Sequence, residues 1–161
     1  VGAYPVETVH AMARVCMGAE NSMEPVSAAA APLEAPLHRI DETIAKTAIV
    51  AANRLSVAAI AALTESGATV MWMSRIGTGI PIYALSEHPR TRNRVTLYRG
   101  VHPVSFDPTV REHGVVDREV VEKLLSMGAV ARDDLVMITK GDLAGVRGGT
   151  NAMKIVTAEQ G

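Results

Sequence analysis

Apolar residues recur along this chain with two alternating periods, and the order of those periods predicts a layered fold. Pro5 suits a first helical turn, and Val6, Val9, Ala13 and Met17 return every three or four residues, so residues 1–20 read as a helix with one apolar stripe. Residues 21–37 carry Pro25, Pro32, Pro36 and an alanine run without a period, the composition of a linker. Beyond it, Asp41 as N-cap opens a helix that reaches Leu55, with Ile44, Ala48, Ala52 and Leu55 along one side. The apolar run 59–63 is short and continuous, as in a buried strand. A helix over 66–76 then leads through a Gly77 and Gly79 turn to a second strand, 82–85. Pro89 opens the next helix, Gly100 ends it, and 101–106 forms a third strand. Asp117 as N-cap, stapled by Val116 and Val121 and closed by Gly128, brackets the best-defined helix of the chain. Strands over 135–139 and 153–158 complete the pattern.

Strands joined by helices imply right-handed parallel crossovers, whereas the last two are joined by a loop of about a dozen residues and pair antiparallel. The expected fold class is therefore α/β: a three-layer α/β/α sandwich around a five-stranded mixed sheet whose last strand is antiparallel. The chain divides into a terminal helix (1–20), a linker (21–37) and one domain (38–161). An isolated helix cannot bury its own stripe, so the natural partner surface of residues 1–20 is expected to be missing and the chain to be truncated.

Composition narrows the function classes. With 161 residues, 48% of them hydrophobic, one sizeable core can form. A formal net charge of -1 lacks the basic excess of a nucleic-acid groove. The single Cys16 allows no internal disulfide and no thiolate cluster, which fits a reducing, cytoplasmic setting. The run 57–63 is far shorter than the roughly 18 residues a membrane span needs. Aromatic residues are only 3%, so aliphatic side chains and methionines fill the core and no stacking platform for bases or sugars is expected. The five histidines show no metal-ligand spacing, Asp41-Glu42 and Asp133-Asp134 read as caps and turns, and Cys16 reads as a small buried apolar residue, so no metal site is expected. Arg90, Arg92, Arg94 and Arg99 crowd one helix, as a solvated face or a subunit interface would.

Two loops carry candidate chemistry. Thr64-Glu65-Ser66-Gly67-Ala68-Thr69 lies between a strand and a helix, where the backbone N–H groups of Gly67 and Ala68 and the hydroxyls of Thr64, Ser66 and Thr69 can converge on a phosphate; an ordinary Ser/Thr helix cap uses the same residues. Lys140-Gly141-Asp142, Gly145 and Arg147-Gly148-Gly149-Thr150-Asn151 form a glycine-rich loop between two strands. Glycines let backbone amides line a concavity, and Lys140, Arg147 and Thr150 add charge and a hydroxyl, although a turn into an edge strand also needs such glycines. Loops after the carboxyl ends of parallel strands gather where α/β proteins bind ligands, so both can clamp one ligand. Neither loop matches a Walker A or dinucleotide pattern.

Taken in order, Thr64 to Thr69, Ser74-Arg75-Ile76, Pro81-Ile82, Tyr98-Arg99-Gly100-Val101-His102-Pro103, Thr139-Lys140-Gly141-Asp142 and Gly148 to Met153 resemble the C-terminal domain of pyruvate kinase, and Gly2-Ala3-Tyr4-Pro5 onward resembles the last helix of its catalytic barrel. The resemblance implies a regulatory and oligomerising domain that binds an allosteric sugar phosphate or nucleotide monophosphate such as AMP, partnered by a barrel of the same chain and by a second copy. It places the phosphate at Thr64, Ser66, Gly67, Ala68 and Thr69, with Lys140, Arg147, Gly148 and Thr150 closing over it. Ala68 departs from the family, many members of which carry Arg or Lys there. The full-length enzyme transfers a phosphoryl group from phosphoenolpyruvate to ADP with Mg²⁺ and K⁺; the barrel does that work, so this chain alone is expected to be inactive. A stand-alone small-molecule-binding or structural domain of the same fold is the alternative, and packing of the first helix onto the sandwich would favour it.

Overall fold

The structure is a computed structural model that describes residues 2–22, 38–107, 113–142 and 148–159. Among these, the elements run α1 (Pro5–Ser22), α2 (Ile40–Leu55), β1 (Ala59–Leu63), α3 (Ala68–Ile76), β2 (Ile82–Ser86), α4 (Pro89–Val95), β3 (Val101–Ser105), α5 (His113–Ser126), β4 (Leu135–Lys140) and β5 (Ala152–Thr157). Most of the expected linker, 23–37, lies outside the described residues.

One five-stranded sheet has the order β3-β2-β1-β4-β5. Ile60 pairs with Ile82 on one side of β1 and with Met137 on the other, both parallel, while Met137 faces Ile155 across the antiparallel β4–β5 pair. The mixed sheet and its antiparallel last strand are as the connection lengths require. The central strands are nearly continuous in apolar residues because both faces are covered. Ala45, Ala48, Ile49 and Ala52 of α2, Val70 and Met73 of α3, and Val95 of α4 pack with Ile60, Ala62, Ala84 and Met137 on one face. Val116, Val120, Val121 and Leu124 of α5 pack with Ala59, Ala61, Leu85, Val136 and Ile138 on the other. The chain thus winds outward from β1 to β3 over one face and returns through α5 over the other, reversing direction between β1 and β4. Pro103 is tolerated in β3 because that strand is an edge.

Several local expectations need correction. Asp41 is not the N-cap of α2: Arg39 is, and Asp41 lies in the first turn with its carboxylate accepting from the Glu42 N–H. The buried stripe of α2 is Ala45, Ala48, Ile49 and Ala52, rotated away from Leu55, which is exposed. Asp117 is likewise inside α5 rather than at its start, although Val116 and Val121 are both buried and Gly128 follows the helix at φ 65°. The helix after residue 66 begins at Ala68, and the one opened by Pro89 ends at Val95, short of Gly100. Cys16 is exposed, and of the methionines Met73 and Met137 are core residues while Met12, Met17, Met127 and Met153 are exposed. The Asp133-Asp134 turn is as expected: Asp133 has φ 68° and the Asp134 carboxylate accepts from the Ala131 N–H at 2.7 Å.

No residue of α1 is buried; Val6, Val9, Met12 and Met17 all stand exposed.

Candidate functional site

The chain reverses direction between β1 and β4, and the crevice outside the carboxyl ends of the strands at such a switch point is where open α/β sheets hold ligands. The β1–α3 loop forms one wall. Thr64 continues the ladder by donating its N–H to Leu85 O, and its hydroxyl then accepts the Gly67 N–H at 3.0 Å. That turn needs φ +81° at Gly67, and an added Cβ there would sit 2.9 Å from a Val95 methyl, so both backbone sign and space select glycine. Gly67 O accepts the Met71 N–H, which starts α3 and leaves the amides of Ala68, Thr69 and Val70 without partners inside the helix.

Neighbouring side chains hold this loop from outside. The Thr91 hydroxyl donates to Glu65 O at 2.6 Å and Arg94 donates to Ser66 O at 3.3 Å, while Arg92 donates to Ser86 O and Glu87 O at the end of β2. Two of the four clustered arginines are thereby occupied with loop carbonyls. The His88 ring lies 2.6 Å from the Glu65 carboxylate, and with Glu87 these residues bring three donor atoms within 4.8 Å of one another. A tetrahedral metal at about 2.1 Å from each ligand sets ligand edges of roughly 3.4 Å, wider than the His88–Glu65 contact, so that contact has the length of a hydrogen bond rather than of a ligand edge.

The residues after β4 form the other wall. Gly141 approaches so closely that a Cβ there would meet Gly149 O at 2.5 Å, and Asn151 donates its N–H to Lys140 O. This brings Thr150, buried like Thr69, to hydroxyl–hydroxyl contact with it at 2.7 Å, a bond between residues 81 apart in sequence. On the same sheet face as Met137, the buried Thr139 hydroxyl at the end of β4 has no hydrogen-bond partner.

The two expected loops are therefore joined, but not all candidate residues face the crevice. Thr64, Gly67, Ala68, Thr69, Gly148 and Thr150 gather there, with the Ser66 backbone held beside them by Arg94. Lys140 does not: one residue along the strand from Thr139, it points to the opposite face and reaches the Asp117 carboxylate on α5 at 2.5 Å. Lys154 meets the other oxygen of Asp117 at 2.9 Å. Burial pushes the Asp117 carboxyl up, yet the hydrogen bonds from Lys140 and Lys154 outweigh it and leave the group below its ordinary range. Arg147 lies outside the described residues.

Sequence reasoning missed one further pair at this rim. Arg39 forks onto Asp41 through two hydrogen bonds, 2.9 and 2.8 Å, which hold the Asp41 carboxyl below its ordinary range against the opposing effect of burial. Gly148, at φ +68°, lies against the pair: a Cβ would stand 3.2 Å from the Arg39 guanidinium and 3.4 Å from an Asp41 oxygen. The signal available was an arginine two residues before an acid at a helix start.

Among known proteins, the family described as "Pyruvate kinase, alpha/beta domain" matches residues 42–156. The chain is similar to Pyruvate kinase II of Salmonella typhimurium, 44% identical over 159 residues that make up 98% of this chain and 33% of that protein. It is similar to a pyruvate kinase of Buchnera aphidicola subsp. Baizongia pistaciae, 42% identical over 156 residues (96% and 32%), and to one of Mycobacterium intracellulare, 31% identical over 155 residues (96% and 32%). The chain spans about a third of the length of these curated relatives.

Proposed function

This chain belongs to the pyruvate kinase α/β-domain family, and on that premise we propose that it is a regulatory module which binds a phosphorylated effector, a sugar phosphate or a nucleotide monophosphate, at the β1/β4 crevice. The observation that carries the proposal is the Thr69–Thr150 hydroxyl contact, which ties the two loops together beneath the open amides of Ala68, Thr69 and Val70. Those amides lie at the positive end of α3, and an anion there gains both hydrogen bonds and the helix field. The Ser66 side chain and the unpartnered Thr139 hydroxyl add polar groups at the same end of the sheet. With Ala68 in place of a basic residue, the phosphate is held by neutral donors, and the absence of one charge-assisted contact lowers affinity by about 1.5 to 3 kcal/mol.

We assign this chain no phosphoryl transfer of its own. The reaction of the family, phosphoenolpyruvate and ADP to pyruvate and ATP, is proposed to belong to a barrel against which α1 packs. The exposed large apolar residues of α1 support that reading over a stand-alone domain, which would bury them. Mg²⁺ and K⁺ are assigned to that barrel as well. Magnesium prefers oxygen ligands in an octahedron, and Glu65, Glu87 and His88 offer an imidazole already in contact with a carboxylate. The exposed edge of β5, with Met153 and Ile155 outward, is proposed to pair with a second copy, consistent with a homo-oligomer in the cytoplasm. Among the described residues no helix is long and apolar enough to cross a membrane.

Calorimetry tests the assignment: ribose 5-phosphate, glucose 6-phosphate and AMP are titrated into the chain and into a Ser66→Ala, Thr69→Ala double variant. Saturable binding by at least one ligand, weakened tenfold or more in the variant, is expected; equal binding by both proteins would move the site elsewhere.

A further inference from the structure

One imidazole ties the β1–α3 loop to the start of α4. His88 is the N-cap of α4, and its Nε2 lies 2.6 Å from a Glu65 oxygen and 3.6 Å from a Glu87 oxygen. Glu65 belongs to the proposed phosphate loop itself: its carbonyl accepts the Thr91 hydroxyl, and Gly67 is two residues on, at most about 7 Å along the chain. The charged residues of the surrounding elements are Arg90, Arg92 and Arg94 of α4 and Asp107, just beyond β3. Arg92 donates to Ser86 O and Glu87 O, and Arg94 to Ser66 O, while Arg111, Glu112 and Arg147 lie outside the described residues. Guanidinium and carboxylate groups ordinarily keep one charge from about pH 6 to pH 8, whereas an imidazole changes its own in that range.

We propose that His88 is a positioning residue for the phosphate seat and that its charge makes effector binding pH-dependent. The inference rests on the seat at Thr64 to Thr69. With His88 neutral, the imidazole and its two carboxylates leave two negative charges beside the loop; with His88 protonated they leave one. Protonation strengthens the contact that holds Glu65 to α4, because a charged donor makes the stronger hydrogen bond to a carboxylate. It also removes one negative charge from the neighbourhood of an incoming anion. Both effects tighten phosphate binding as pH falls, and a bound phosphate favours the protonated ring in return. The His88 side chain is 46% exposed, so water and salt screen the interaction, and the effect on affinity is about threefold at moderate ionic strength.

Calorimetry with glucose 6-phosphate at about pH 6 and about pH 8 compares the whole native chain with His88→Gln, which keeps a neutral donor, and His88→Lys, which keeps the charge; circular dichroism checks the folding of each. The ligand's own second ionisation is common to all three proteins and cancels in the comparison. On acidification the native protein is expected to gain about threefold in affinity over His88→Gln, having matched it at the higher pH. His88→Lys is expected to bind about threefold tighter than His88→Gln at both values. The same pH response in native and His88→Gln proteins overturns the proposal, and so does a folded His88→Lys protein no tighter than His88→Gln at the higher pH. Should the native protein bind no ligand, the phosphate seat itself is refuted. NMR of the free chain then decides this proposal separately. Amide shifts of Glu65, Ser66 and Gly67 that follow the His88 ring titration, and stand still in His88→Gln, sustain the tie; amides that ignore that titration end it.

Discussion

Two polar clusters sit at the carboxyl end of this sheet, on opposite faces, and they have opposite character. On the α3 face, Thr69 and Thr150 meet through neutral hydroxyls beside first-turn amides that have no partner within the helix, and the cluster carries no formal charge among the described residues. On the α5 face, Lys140 and Lys154 close on the two oxygens of Asp117, so both ammonium groups are engaged with a carboxylate of the chain itself. The lesson is that formal charge in a glycine-rich segment does not identify an anion site. Lys140 and Thr150 both looked like phosphate ligands, yet the alternation of side chains along β4 turns the lysine to the far face, while the turn before β5 sets Thr150 against Thr69 beside the crevice.

The largest effect that would break this contrast is expected from Gly141→Ala. Its Cβ would meet a backbone oxygen, Gly149 O, so the loop must open; a loss of about 3 kcal/mol in urea unfolding, with phosphate binding abolished, is the expected result. Asp117→Ala leaves two ammonium groups without their shared carboxylate and is expected to cost about 2 kcal/mol, below the full value for a buried pair because Lys154 is half in water. It should leave effector affinity unchanged, whereas a large change would join the two clusters functionally. The same carboxyl titrates lower in the fold than in the unfolded chain. Its contribution is therefore complete above the unfolded value near 3.8 and is lost as pH falls through the lower folded value, so native and Asp117→Ala proteins should converge in stability on acidification in that window.

Ala68→Arg restores a cation at the first residue of α3 and is expected to tighten sugar-phosphate binding about tenfold, an affinity difference that should shrink at high salt. Thr69→Val removes one hydroxyl of the linking pair and leaves the other buried; a loss of about 1 kcal/mol in thermal unfolding is expected. If Val at 69 were neutral in both stability and binding, the hydroxyl contact would not be what joins the loops.

Much of the fold was legible because its signals are local. Short apolar runs give β1, β2 and β4, with Pro81 just before β2 and Gly141 just after β4, and a loop too short for a crossover helix fixes β5 as antiparallel. What was not legible depended on partners distant in sequence. Asp41 and Asp117 each stand near the start of an apolar helical pattern, and a cap and a first- or second-turn acid look alike there. Lys140 and Lys154, 23 and 37 residues from Asp117, decide the second case. The α2 stripe was misplaced because alanines recur on several sides of that helix, so periodicity could not separate Ala45 and Ile49 from Ile44 and Leu55. At the site, the hydroxyls and glycines were identifiable one by one. Their union across 81 residues, and the Arg39–Asp41 fork beside it, required the fold.

Amide chemical shifts followed by NMR during a glucose 6-phosphate titration test the central claim most directly. The account predicts that Gly67, Ala68, Thr69 and Thr150 move together and saturate with one dissociation constant, while residues around Asp117 stay still. Shifts centred on Asp117, Lys140 and Lys154, with the β1–α3 loop unmoved, would contradict it.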